Sequence, residues 1–246
     1  MRPILFFHWL KMREGWDRGV LESFSVTENP SLILASNSPR RRQLLALAGW
    51  PFSVSATDVD ESQHPGESPS DYVLRLAEAK ARAVAGDSDQ IVIAADTTVV
   101  VDGMDILGKP KDNAEAVAML TRLRGHTHQV YTGVALLRLN DGLLLKDVCV
   151  TDVPMRDYSY EEILAYVQTG DPLDKAGAYA IQHPGFRPVA DMSGCYANVM
   201  GLPMCHVIRM MQRINIQPNT NVFASCENIL EYRRCPVPEA IRRGEM

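Results

Sequence analysis

The chain has no apolar run approaching the ~20 residues needed to cross a bilayer. Its one apolar stretch near the start, Ile4–Leu10, holds His8 and is followed by Lys11, Arg13 and Glu14. It lacks the long apolar region and small-residue cleavage site of a secretory signal. There is no CxxC pair. The five cysteines (Cys149, Cys195, Cys205, Cys226 and Cys235) are odd in number and scattered. That usage argues against a disulfide framework or a zinc ribbon and favours reduced thiols in the cytoplasm. No basic block outweighs the acidic background, and a net charge of −5 argues against bulk nucleic-acid binding. GxxxxGK[ST], HExxH and GxSxG are all missing, which removes the P-loop, the zincin helix and the serine-hydrolase elbow. No internal repeat is visible.

What remains is an ordinary globular composition. With 46% apolar and 22% charged residues over 246 positions, the chain can build the core of one large domain or two small ones. Residues 1–30 show no clear period, end at Asn29-Pro30 and read as an N-terminal extension. Strands are expected at Leu32–Ala35, Phe52–Ala56 and Gln90–Val101. A long hairpin is expected from Val130–Leu139 and Leu143–Val153 around Asp141-Gly142. Helices are expected over Pro39 to Gly49, Ser68–Ala85, Asn113–Leu123, Tyr160 to Gln168 and Leu202–Arg213, with Ser38, either Ser68 or Ser70, Asp112 and Ser159 as caps. Ala176–Gln182 and Tyr196–Met200 read as short strands. Residues 214–246 read as a loosely attached tail, which leaves 31–213 as the main domain. Helices alternating with strands around one hairpin predict an α/β fold with a mixed central sheet, flanking helices and two lobes around a cleft.

Leu32–Leu45, LILASNSPRRRQLL, is the most informative stretch. A short apolar strand runs into Ser36-Asn37-Ser38, and Pro39 suits the first helical position. Arg40, Arg41 and Arg42 then oppose the helix dipole. A phosphate on the exposed amides would resolve that conflict, since helix N-termini bind anions and guanidinium matches phosphate geometry. A solvated basic turn is the other reading.

Asp96 interrupts the apolar strand IVIAADTTVVV, where an unpaired carboxylate costs several kcal/mol. It is either a metal ligand or general base, or a structural aspartate bonded to nearby amides. Asp58, Asp60 and Glu61 form a second acidic cluster, from which Glu61 could meet Asp96 across a cleft to share a hard divalent cation. Lys80 lies in register with Val73, Leu76, Ala77 and Val84, so it either snorkels or reaches an anion. Lys109, between Gly108 and Pro110, sits on a stiff loop. Asp102 and Asp105 read as solvated. His126 and His128 would share one face of a strand as surface or packing residues. Together, arginines at a helix start, two carboxylates and two placed lysines suit metal-assisted attack of water on a phosphoanhydride.

LILASNSPRRRQLL, Val59-Asp60-Glu61, YVLRLAEAKA, AADTTVV, LGKP, TGVAL, YVQTGDPLDKAGAYAIQ and Gly201-Leu202-Pro203 occur here in order. In this, residues 31–212 resemble the Maf family of nucleoside triphosphate pyrophosphatases. The resemblance implies a Maf/ITPase-like fold, a divalent cation (Mg2+ or Mn2+) and hydrolysis of a nucleoside triphosphate to monophosphate and pyrophosphate. It implies Asp96 as proton acceptor and Glu61 with Asp96 at the metal. Ser36, Arg41, Lys80 and Lys109, with Arg40, would hold the triphosphate. Arg40, Thr97 and Gln182 would set substrate choice. Those three look like the dTTP/UTP subfamily, because a glutamine amide offers a donor and an acceptor to the uracil or thymine edge. His183–Pro188 and Arg42 depart from the family pattern. The alternatives are 7-methyl-GTP or modified pyrimidine triphosphates as substrate, or a nucleotide-binding regulator of cell division or septation. A homodimer stays open, and no nucleic-acid or membrane partner is implied.

Overall fold

The computed structural model describes residues 31–87, 89–229 and 235. The N-terminal extension, at 1–30, lies outside the described residues, as does most of the tail beyond 229.

The first unit is strand–helix–strand. β1 (Leu32–Leu34) leads into α1 (Pro39–Ala46), and β2 (Phe52–Val54) returns parallel to β1. Ser38 caps α1 by accepting the Arg41 amide, and Pro39 supplies the fixed φ of the first turn. α2 (Pro69–Arg82) is capped by Ser68 and crosses back over the sheet. It buries Val73, Leu76, Ala77 and Ala81 at the spacing of one helical face. Fully burying Leu76 alone contributes about 2 kcal/mol.

β3 (Ile91–Val101) runs straight through Asp96-Thr97-Thr98 without a break. A turn through Asp102 and Gly103, both at positive φ, reverses the chain into β4 (Asp105–Leu107), a three-residue strand the sequence reading missed. α3 (Asn113–Leu123) follows, then the hairpin β5 (Thr127–Arg138) and β6 (Leu144–Pro154). The sheet order is β2-β1-β3-β5-β6, with β1 and β2 parallel to β3 and β5 and β6 alternating antiparallel. This is the expected mixed α/β fold. Side chains alternate between the two faces. Ile33, Val92, Ala94 and Ala135 meet α2, while Leu34, Ile93, Ala95 and Leu136 meet the opposite layer.

That opposite layer has two parts. One holds α1, α5 (Tyr196–Met200), α6 (Met204–Gln212) and α7 (Val222–Ile229). The other packs α3 and α4 (Tyr160–Gln168) on the far end of β3 and β5. The capping box at Ser159 and Glu162 is formed.

Three expectations are corrected. Ala176–Gln182 is not a strand. Ala176–Ala178 is a 3-10 turn, and Gly177 (φ 67°) and Ala178 (φ 60°) lie in the left-handed region, which no strand accommodates. Tyr196–Met200 is a helix, closed by Gly201 at φ 106°. Nor is the chain after Arg213 loose along its described part. Trp50 Nε1 donates to Gln217 O at 2.9 Å, Asn219 N donates to Ala48 O at 2.9 Å, and Val222 is buried against the core.

One feature of the sheet positions the site. β1 pairs with β3 over Ile91–Ile93, and β4 pairs with the same edge over Val99–Val101. Among the described residues, no strand covers that edge from Ala94 to Thr98. The opening lies at the carboxyl end of parallel β1, where open α/β sheets bind ligands.

Candidate active site

The opening widens into a cleft of about 390 Å³. Ser36, Arg40, Arg41, Glu61, Lys80, Asp96, Thr97, Lys109 and Gln182 all line it. Residues separated by as many as 146 positions thus share one wall, and every site residue expected from the sequence is present. They fall into three groups of different character.

The first group is charged. Asp96 is delivered by β3 and Lys80 by the fifth inward position of α2. Lys80 Nζ donates to Asp96 Oδ1 at 2.6 Å and pairs with Glu61 Oε1, also at 2.6 Å. The ammonium therefore stands between the two carboxylates. Asp96 and Lys80 are buried, whereas Glu61 is 45% exposed at its side chain. Burial raises the Glu61 pKa, but the Lys80 hydrogen bond and the charges of Lys80, Lys109 and Arg41 outweigh it, so Glu61 titrates below its ordinary range. Lys109 Nζ stands 3.9 Å from Glu61 Oε2 and is mostly exposed. Tyr72 reinforces the wall by donating its hydroxyl to Glu61 O at 2.9 Å, and burial pushes its phenol up to about 12.

Gly133 makes this meeting possible. It lies opposite Asp96 in the β3–β5 register, and a Cβ there would stand 2.5 Å from the Val73 carbonyl of α2. Only a bare backbone lets the helix come down far enough to bring Lys80 to Asp96.

The second group is bound into the framework. Arg41 Nε donates to Gly201 O at 2.8 Å, and its guanidinium reaches Thr97 Oγ1 at 3.1 Å and Ser36 Oγ at 3.4 Å. Burial, with Arg40 acting in the same direction, lowers the Arg41 pKa against the pull of Asp96. Thr97 Oγ1 also shares a hydrogen bond with Thr132 Oγ1 at 2.9 Å. Arg41 and Thr97 thus tie α1, β3, β5 and the end of α5 together at the floor of the cleft.

The third group is unoccupied by protein partners. Arg40 and Gln182 make no hydrogen bond or ion pair among the described residues. They line the cleft from opposite segments, the start of α1 and the loop after Ala178. Arg42 is exposed and does not line the cleft.

Some residues expected nearby lie elsewhere. Asp102 and Asp105 are exposed but not merely solvated, since both pair with Arg122. His126 precedes β5 and turns to Arg124 O, whereas His128 is buried with its Nε2 2.9 Å from Tyr179 Oη. The two rings therefore share no face, and burial lowers His128 to about 4. The sequence reading missed Lys175, a buried lysine of the cleft wall that bonds Asp171 and Asp174. Its acidic partners in GDPLDK were the available signal.

No group of three histidine, cysteine or carboxylate side chains able to hold a metal ion occurs among the described residues. Two carboxylates suffice for Mg2+, which is ordinarily held by one or two of them together with substrate phosphates. Glu61 and Asp96 fit that donor set.

Residues 31–214 match the family described as Maf-like protein. The chain belongs to the Maf family. Curated relatives cover most of this Maf domain. The Geobacter metallireducens protein named dTTP/UTP pyrophosphatase is 52% identical over 188 residues, 74% of this chain and 95% of its own length. The Myxococcus xanthus protein of the same name is 50% identical over 186 residues, 75% of this chain and 93% of its own. Among solved structures, the Staphylococcus aureus Ham1 protein overlaps 82% of this chain and 98% of that chain at 16% identity, with a TM-score of 0.41.

Proposed function

We propose that the chain is a cytoplasmic, divalent-metal-dependent pyrophosphatase of dTTP and UTP, with 31–213 as the catalytic unit flanked by extensions at 1–30 and 214–246. The observation that carries this is the convergence of the anionic pair Asp96 and Glu61 with Arg40, Lys109 and Gln182 in one cleft. The names of relatives about half identical in sequence support the substrate class.

In this reading the triphosphate enters along the amides of α1, between Arg40 and Lys109. Water attacks phosphorus, the anhydride bond between the α- and β-phosphoryl groups breaks, and pyrophosphate leaves. Asp96 takes the proton. Its Oδ1 is held by Lys80, leaving Oδ2 for the water. Mg2+ or Mn2+ held by Glu61, Asp96 and the phosphates would supply charge neutralisation. Lys80 keeps the carboxylates in place and donates toward the phosphates as they arrive. Gln182 meets the pyrimidine edge with one donor and one acceptor.

The test is a nucleoside triphosphate panel with pyrophosphate detection, run with and without chelator. Turnover concentrated on dTTP and UTP and abolished by chelator is expected. Preferential turnover of 7-methyl-GTP would overturn the substrate assignment.

A further inference from the structure

Gln182 has a mechanical problem. Base selection by an amide requires the amide to be held within about 0.5 Å of its working position. Yet Gln182 sits in a loop without regular structure, and its own side chain bonds to no described residue. Something else must fix it.

Tyr166, on α4, grips the loop on both sides of Gln182. Its hydroxyl accepts a hydrogen bond from Ala180 N at 3.1 Å, two residues before Gln182. Its ring stacks on Phe186 with centroids 4.3 Å apart and planes at 15°, and meets the edge of His183 at 4.8 Å. The hydroxyl also donates to Asp171 Oδ2 at 2.6 Å. Asp171 is in turn held by Lys175 Nζ at 3.0 Å, and that buried ammonium also bonds Asp174 Oδ1 at 2.5 Å. Burial and then the Asp171 carboxylate push the phenol pKa upward, so Tyr166 keeps its proton and donates it to Asp171. Its lone pair is left for Ala180. The segment His183–Pro188, which departs from the family pattern, is the part of the loop that packs on this ring.

We propose that Tyr166, braced by Asp171 and Lys175, is the positioning residue that sets the base preference of the cleft by fixing the loop that carries Gln182. The inference rests on the pyrimidine reading above. It concerns selection among bases and leaves the chemistry at Asp96 untouched.

The test compares kcat and KM for dTTP, UTP and dCTP across the wild type, Tyr166→Phe, Asp171→Asn and Tyr158→Phe. Tyr166→Phe keeps the ring and deletes only the hydroxyl. Tyr158→Phe is the matched control, because that buried hydroxyl donates to Leu120 O at 2.8 Å on α3 and does not hold the loop backbone. Tyr166→Phe should reduce the dTTP to dCTP ratio of kcat/KM at least fivefold, through KM and with kcat within twofold. Asp171→Asn should shift it in the same direction. Tyr158→Phe should lower Tm and leave the ratio unchanged. A Tyr166→Phe variant that loses thermal stability but keeps the wild-type ratio overturns the inference alone. A wild type with no pyrimidine preference overturns the functional reading and this inference with it. If Tyr166→Phe does not fold, Asp171→Asn decides by the same ratio.

Discussion

Replacing Lys80 by methionine tests the charged centre of the cleft directly. The stem of the side chain is nearly preserved, so the packing of α2 changes little and the ammonium alone is lost. Lys80 Nζ lies 2.6 Å from both Asp96 Oδ1 and Glu61 Oε1, with side-chain exposures of 11%, 10% and 45%. Removing one partner of a buried ion pair costs about 3–5 kcal/mol, because the other charge remains buried. The Glu61 half adds under about 1 kcal/mol, since water already screens it. For a chain of this size each kcal/mol shifts Tm by about 2–4 °C, so a fall of roughly 6–24 °C is expected. Thermal unfolding at neutral pH in chelator measures it. The same experiment with added Mg2+ or Mn2+ then asks what the carboxylates bind. A cation occupying the space left by the ammonium stabilises the variant by about 2.7 kcal/mol at a hundredfold excess over its dissociation constant. That gain should exceed the wild-type gain. A variant as stable as the wild type, or one that metal stabilises no more than the wild type, would refute the argument.

Asp96→Asn should lower turnover by about 10²–10⁴-fold while dTTP binding, followed by calorimetry, changes modestly; near-normal turnover would remove Asp96 as proton acceptor. Gly133→Ala should destabilise the fold by about 1–3 kcal/mol or more by pushing α2 off the sheet, and activity should fall with it, because the new methyl meets the Val73 backbone at 2.5 Å. An unchanged urea midpoint would show that the helix has room to move. His128 is neutral in the fold, with its pKa lowered by burial from the ordinary 6.5 to about 4. It takes up a proton on unfolding, so about 3 kcal/mol of stability present above pH 6.5 should drain away as pH falls toward 4. Urea midpoints of His128→Gln at pH 7.5 and 4.5 should show less acid loss than the wild type; equal slopes would contradict the burial argument.

Much of the cleft was legible in the chain for physical reasons. Asp96 stood out because a carboxylate in an apolar strand must have a partner, and that partner proved to be Lys80. Lys80 stood out because it shares the apolar face of its helix. Ser38, Asp112 and Ser159 marked helix starts through local chemistry and act as caps, and of the two serines offered for α2 it is Ser68 that caps it. Other features were illegible because their causes are not local. YANVM is too short to show a period, so strand and helix could not be separated. The left-handed turn at Gly177 and Ala178 is imposed by tertiary contacts, with Val99 standing against Gly177. Tyr166 reads as one more apolar residue on an amphipathic helix, since its acidic neighbour and its loop partners are visible only once the chain is folded.

The uncovered edge of β3 carries a consequence of its own. Between the pairings with β1 and β4, the outward peptide groups of Ala94–Thr98 have no strand partner among the described residues, and Asp96, Thr97 and Thr98 line the cleft beside them. Replacing one side chain with another deletes no peptide group, so most point substitutions leave that open edge intact. Proline within Ala94–Thr98 is the exception, because it removes an N–H from the edge itself. An alanine scan of this strand therefore removes the side chains of Asp96 and Thr97 and leaves the peptide groups of the edge in place.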